Sequence, residues 1–283
     1  MKIDIICPLY NAEKYIRSLH NSILMQENVN INSISYVLTR CNDDTETVLK
    51  DLNANYVVIE PSEFSHSGTR EMMAKKSKAD IIVFISQDIK IVRRDWLYYL
   101  TKDIANGNCE AAYSRQLAEK NNIEKYTREK NYGEISFIKS KDDIKTMGLN
   151  TFFFSDASSA INRKVFENLN YYDGKKFTSN EDQYIAHKLI IAGYRIKYCA
   201  ESEVIHSHDF KFKTLYKRYR DTGAFYKSEP YMNDYGTNSA GVAMAIYILK
   251  RIIEDRNWKA AIEYIPNMIA RFLGMKTKNV KNK

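Results

Sequence analysis

Proline and glycine are scarce in this chain, four and ten residues among 283. So few backbone breakers exclude a flexible linker, a proline-rich arm and a low-complexity tract. Cysteine is sparse too. Cys7, Cys41, Cys109 and Cys199 are scattered, with no CxxC pair and no metal-ligand spacing, so they read as buried thiols in a reducing compartment. The longest apolar stretch, around residues 240–249, is too short to span a bilayer. Met1-Lys2-Ile3-Asp4 leads straight into a strand pattern with no signal-peptide architecture, which predicts a cytoplasmic protein. No GxGxxG follows the first strand, so a dinucleotide fold lacks its fingerprint. Zinc-finger, RNP-like and helix-turn-helix patterns are missing as well, and nucleic acid is not an expected partner.

What is present suits one large domain, or one domain with a smaller appendage. Hydrophobic residues make up 44% and charged residues 28%, an ordinary soluble balance, with Tyr and Phe unusually frequent. The net charge of +8 is concentrated at one end: residues 211–283 hold fifteen Lys and Arg against six Asp and Glu. Such a tail can meet anionic lipid or a phosphorylated substrate.

Taken in order, the chain alternates strand and helix. Ile3-Asp4-Ile5-Ile6-Cys7 is a strand halted by Pro8, and Ile16, Leu19 and Ile23 mark one face of a helix over 12–25. A second strand covers 34–39, a helix follows toward Leu52 with Asp44 or Thr45 as its cap, and a third strand covers 56–59. Next comes a helix over 71–77 capped by Thr69, then the apolar run Ile81-Ile82-Val83-Phe84-Ile85. This is a βαβ series and predicts a mostly parallel sheet with helices on both faces. Farther on, the pattern predicts a helix after Trp96, a strand near 111–113 and a mobile loop around 139–147. A loop entering a strand over 152–163, a helix starting at 164–166, a helix from 181 to 192, and separate strands at 194–198 and 204–208 follow. Beyond residue 210 only helical segments are predicted, at 215–226, 240–253 and 258–273. Their basic, amphipathic faces suit a membrane interface, the first part of the chain, or a homodimer.

Three places carry chemistry. Asp88 closes the run Ser86-Gln87-Asp88 at the carboxyl end of a buried strand, where open α/β sheets bind their ligands. Gly68 permits close backbone approach, and Arg70 at a helix N-terminus is a candidate anion site. Glu181 and Asp182 stand in the first turn of a helix, where acids also complement the helix dipole. His206 and His208, spaced i, i+2 at a strand end, are expected to point to opposite faces, so that at most one enters a shared site.

Together these pieces resemble the family 2 glycosyltransferases with a GT-A fold over roughly residues 1–209. Cys7-Pro8-Leu9-Tyr10-Asn11 looks like their nucleotide-binding loop, Ser86-Gln87-Asp88 like a DxD metal motif keeping only its second acid, and Asn180-Glu181-Asp182 like the acids holding the catalytic base. A narrower likeness to bacterial rhamnosyltransferases lies in His66-Ser67-Gly68-Thr69-Arg70, Ser86-Gln87-Asp88, His206-Ser207-His208 and Lys217-Arg218-Tyr219-Arg220-Asp221-Thr222-Gly223. The departures are Ser67, Glu71 and Ser86.

The resemblance implies a GT-A catalytic domain over 1–210, its nucleotide-sugar half about 1–100 and its acceptor half about 101–210, followed by a basic helical region over 211–283. It further implies an inverting transferase moving a sugar, L-rhamnose from dTDP-L-rhamnose, to a surface-polysaccharide or lipid-linked glycan at the inner face of the membrane. Asp182 is then the base, with Glu181 as the second choice. Pro8, Tyr10, Asn11, Asp43, Gly68, Arg70 and Gln87 serve the donor. Asp88 with His206 holds Mg2+ or Mn2+, because the leaving diphosphate's charge must be neutralised by a cation bound through hard ligands. The competing expectation is an inactive homologue serving as a membrane-bound scaffold.

Overall fold

A computed structural model describes residues 1–277; positions 278–283 of the expected basic tail lie outside the described residues. The first half runs β1 (Lys2–Leu9), α1 (Glu13–Leu24), β2 (Asn30–Thr39), α2 (Thr45–Asp51), β3 (Asn55–Ile59), α3 (His66–Ala74), β4 (Ile81–Ile85), β5 (Lys90–Ile91) and α4 (Trp96–Ala105). The second half continues with β6 (Ala111–Leu117), α5 (Ile123–Asn131), β7 (Phe137–Lys139), α6 (Ile144–Met147), β8 (Ser158–Asn162), α7 (Arg163–Asn168), α8 (Glu181–Ile191) and β9 (Ile196–Ile205). Three helices close the chain: α9 (Phe212–Ser228), α10 (Thr237–Glu254) and α11 (Trp258–Lys276).

Among the described residues the strands form one sheet in the order β3-β2-β1-β4-β8-β6-β9-β5, with β7 also on β9. β1, β2, β3, β4, β6 and β9 run one way and β5, β7 and β8 the other, so the sheet is mostly parallel, as predicted. Alternation along the strands builds two cores. Ile5, Cys7, Tyr36 and Val83 pack with α1, α2 and α4 on one face. Ile6, Val37, Ile82 and Phe84 pack with α3, α7 and α8 on the other. This three-layer arrangement points every parallel strand's carboxyl end toward one rim.

Four local expectations are corrected. Pro8 does not end β1, because pairing with β4 stops at Ile6–Phe84 while pairing with β2 continues to Leu9–Leu38, so Pro8 falls where the strand has a single neighbour. Helix α3 begins at His66, not after Thr69, since the Ser65 hydroxyl accepts from the Gly68 amide at 3.0 Å and caps it. The segment 139–147 is no mobile loop: β7 pairs with β9 and leads into a short 3-10 turn and α6. Its Lys139 is fully buried, with its ammonium donating to the Phe153 carbonyl over the Tyr113 ring. Finally, the two strands expected at 194–208 are one strand, β9, whose register against β6 shifts between Ser114 and Arg115.

The closing helices pack back on the rest of the chain. Arg271 is buried and donates to Asn267 and Tyr219 at 2.6 Å each and to Glu124 at 3.0 Å, tying α11 to α9 and α5. Ile248, Ile252 and Ala260 make a small third core with Ile123 and Tyr126 of α5. No helix among the described residues is long and apolar enough to cross a membrane.

Candidate active site

The four-residue connection Ser86-Gln87-Asp88-Ile89 joins β4 to β5. β5 pairs antiparallel with the end of β9, Lys90 opposite Ile205, so Asp88 arrives beside the residues that follow Ile205. Those are His206, Ser207 and His208. His206 Nε2 lies 3.4 Å from Asp88 Oδ1 and His208 Nδ1 lies 3.6 Å from Asp88 Oδ2. Both imidazoles therefore reach one carboxylate, which corrects the expectation that only one would. Strand alternation governed that expectation, and the strand ends at Ile205 before either histidine. The ligand atoms of Asp88, His206 and His208 all lie within 4.8 Å of one another.

Burial works against the Asp88 charge, but the imidazoles of His206 and His208, when protonated, outweigh it and bring the carboxyl to about 2. Burial also holds His206 below the usual imidazole range, and His208 at about 4. An anionic oxygen with two imidazole nitrogens is a donor set that fits a divalent cation.

A second group of acids gathers where α8 begins. Asn180, in the left-handed region at φ 62°, turns the chain into the helix, so Glu181 and Asp182 occupy its first turn. Arg70 was expected at a helix N-terminus, facing phosphate. Because α3 starts earlier, Arg70 lies inside the helix and is buried, with Glu181 Oε1 3.0 Å and Asp156 Oδ2 3.8 Å from its guanidinium. Asp156 also accepts from Ser159 Oγ at 2.7 Å and Tyr172 Oη at 2.8 Å. Asp182 takes none of these donors and accepts instead from the Gln183 amide at 2.8 Å. Burial first, then the charges of Glu181 and Asp156, push its carboxyl well above the ordinary range. One guanidinium among three carboxylates leaves a site that holds a proton on Asp182 readily and is basic when it lets go.

The third component is an open cleft of about 620 Å³ lined by Tyr10, Asn11, Arg40, Asp43 and Glu60, among others. Asp43 receives the Thr45 hydroxyl at 2.7 Å and the Glu13 amide at 3.2 Å, which hold the loop after β2 against α1. Gln87 clasps the opposite loop: its amide oxygen accepts from the Tyr10 amide at 2.8 Å and its nitrogen donates to the Tyr10 carbonyl at 2.9 Å. Pro8, Gly68 and Arg70 do not line this cleft. At Gly68 the close neighbour is the capping Ser65 Oγ, 2.6 Å from where a Cβ would stand.

Asp156, His208 and Gln116 belong to these clusters and were not singled out as site residues from the sequence. Gln116 Oε1 lies 2.8 Å from His206 Nδ1. Asp156 precedes the small residues Ala157 to Ala160. A buried acid followed by Ser158 and Ser159 is the only local signal.

Comparison with known proteins bears on the family and the fold. The sequence profile of glycosyl transferase family 2 matches residues 4–169. The O-antigen chain rhamnosyltransferase WbaN of Salmonella anatum is 37% identical over 198 residues, 69% of this chain and 62% of that protein. This chain thus spans less than two thirds of that relative. RfbN of Salmonella typhimurium, also an O-antigen chain rhamnosyltransferase, is 34% identical over 241 residues, 83% of this chain and 76% of that one. In structure, the mannosyltransferase PcManGT of Pyrobaculum calidifontis, solved with GDP-Man and Mn2+, superposes with a TM-score of 0.58 at 14% identity, covering 96% of this chain and 83% of that one. S. aureus TarS 1–349 with UDP-GlcNAc gives 0.55 at 16% identity over 79% and 66%. At these identities the structures support the GT-A fold alone.

Proposed function

The chain belongs to glycosyl transferase family 2, and from that premise we propose that it is an inverting glycosyltransferase using a nucleotide-diphosphate sugar, dTDP-L-rhamnose, to extend a surface-polysaccharide or lipid-linked glycan. The observation carrying this is the convergence of Asp88, His206 and His208 at the strand-end rim. The relatives' O-antigen rhamnosyltransferase names support the sugar and the acceptor class. In this reading residues 1–210 are catalytic and 211–283 are a basic appendage.

The nucleotide lies in the cleft of Tyr10, Asn11 and Asp43, with Gln87 holding the Tyr10 loop in shape. Pro8, Gly68 and Arg70 act on the donor only through the backbone and the acids they position. Asp182 takes the proton of the acceptor hydroxyl as its oxygen attacks the anomeric carbon; the bond from that carbon to the diphosphate oxygen breaks, and the nucleoside diphosphate leaves. Arg70 occupies Glu181, which assigns the base to Asp182 and makes Glu181 its electrostatic neighbour. A divalent cation held by Asp88, His206 and His208 would neutralise the departing diphosphate, and the nitrogen ligands favour Mn2+ over Mg2+.

The enzyme acts at the cytoplasmic face of the membrane. Supporting this, α10 exposes Val242, Ile246, Leu249 and Ile253, and α11 exposes Trp258, Ile262, Ile265, Ile269 and Phe272. Each set has the spacing of a single helical face, and the region's surplus of Lys and Arg suits anionic headgroups.

Transfer and donor hydrolysis by the purified chain, with Asp88→Ala and Asp182→Asn beside it, test the catalytic reading. Each substitution is expected to lower turnover by about 10²–10⁴-fold. A wild type that binds donor without turning it over points to the inactive scaffold, and variants as active as the wild type sink the assignment.

A further inference from the structure

His206 has a second neighbour besides Asp88. Pairing of β6 with β9 sets Gln116 opposite Val204 and Leu117 opposite Ile205, so the end of β6 runs beside the start of the histidine tract. The Arg128 guanidinium on α5 donates to Gln116 Oε1. A guanidinium has no acceptor, so the atom it meets must be the amide oxygen, and the Gln116 nitrogen faces Ser155 Oγ at 2.8 Å. That same Oε1 lies 2.8 Å from His206 Nδ1. An oxygen already fixed as an acceptor requires the hydrogen to sit on Nδ1. In the neutral ring Nε2 is then left with its lone pair, and Nε2 is the nitrogen 3.4 Å from Asp88 Oδ1. Two electron pairs facing each other at that distance repel unless a cation stands between them.

Arg128 makes no ion pair with a carboxylate among the described residues, and Gln116 is 1% exposed. Gln116 is thus held in one orientation, with the half-buried Arg128 against its amide oxygen. The order of dependence runs from Arg128 to the amide, from the amide to the imidazole, and from the imidazole to whatever meets Nε2.

We propose that Gln116, oriented by Arg128, is a positioning residue that fixes His206 in its Nδ1–H tautomer and so presents the Nε2 lone pair to a divalent cation shared with Asp88. The cation half rests on the proposed function; the tautomer half does not. Outer partners of this kind typically change metal affinity by about 10–100-fold when removed.

The tautomer can be read without metal. In the ¹⁵N-labelled full chain at pH 8, long-range ¹H–¹⁵N imidazole spectra, assigned by loss of signal in His206→Gln, are expected to show Nδ1–H. Gln116→Glu, which still accepts from Nδ1, keeps that tautomer and the wild-type Mn2+ affinity. Gln116→Leu loses the tautomer preference, and its Mn2+ affinity, measured by EPR with dTDP present, falls about tenfold or more. Arg128→Met, which leaves Gln116 in place but free to turn over, gives mixed tautomers and an intermediate loss. An Nε2–H ring in the wild type overturns the proposal by itself, as does Gln116→Leu with undiminished Mn2+ affinity. An Nδ1–H ring in a protein that takes up no Mn2+ overturns the cation half together with the metal role in the proposed function, a different failure.

Discussion

At the scale of single residues, the acids around Arg70 set up a conflict between stability and activity. Asp182 is raised well above 3.8 by burial and by the charges of Glu181 and Asp156. The folded state therefore keeps a proton that the unfolded chain releases, so stability present below the unfolded value is lost as pH rises through the folded one. Asp182→Asn removes that cost. Its thermal midpoint is expected to exceed the wild type's at pH 7–8 and to match it near pH 3, while turnover collapses; equal midpoints at every pH would show that the carboxyl carries no such penalty. Wild-type turnover is expected to fall on acidification as Asp182 takes its proton. The places of Asp88 and Asp182, one at a strand's carboxyl end and one in a helix's first turn, are legible in the sequence, while their roles are implied only by the family resemblance. Arg70 was misassigned because a single cap, Ser65, moved the helix start and carried Arg70 from the rim into the interior. His208 was discounted by an alternation rule that stops applying where β9 stops.

Elements show the same division. The alternating strands and helices of the first ninety or so residues were readable because each strand is a short β-branched run bounded by polar turns. β9 was split in two because Glu201-Ser202-Glu203 interrupts its apolar pattern where the strand shifts register on β6. The crossing of α9 and α11 has no periodic signal at all; it depends on two missing side chains. A Cβ on Gly274 would stand 2.7 Å from the Tyr216 carbonyl oxygen, and one on Gly223 would stand 2.7 Å from the Met275 carbonyl oxygen. Gly274→Ala is expected to cost about 1–3 kcal/mol, as overpacking does. Gly241, whose Cβ position is open, is the control: Gly241→Ala should be neutral or stabilise by roughly 0.4–1 kcal/mol. Urea melts of the two variants check this, and a Gly274→Ala midpoint unchanged from wild type would mean that the helices part without cost.

For the whole molecule, the charge distribution and the apolar stripes on α10 and α11 describe one surface. Trp258 and Ile262 are each 79% exposed, while Ile248, Ile252 and Ala260 on the inward sides hold the helices to α5. Replacing Ile262 and Ile265 by Asp is expected to release the protein from vesicles containing phosphatidylserine without altering transfer to a soluble glycan acceptor. Salt should weaken the wild type's retention, since exposed charges are screened over about 8 Å at physiological ionic strength. If the double variant instead converts a dimer to a monomer on gel filtration while vesicle retention is unchanged, the surface belongs to a second copy of the chain. The position of β9 between β6 and β5 has a temporal consequence during synthesis. Asp88 and Gln116 leave the ribosome long before residues 196–208, the last strand and the histidines that join them across the rim. A nascent chain can therefore form the parallel half of its sheet early but cannot close the strand-end cluster until about residue 208 has emerged. Until then Asp88 stands without His206 and His208, and a chain cut short inside β9 lacks both imidazoles.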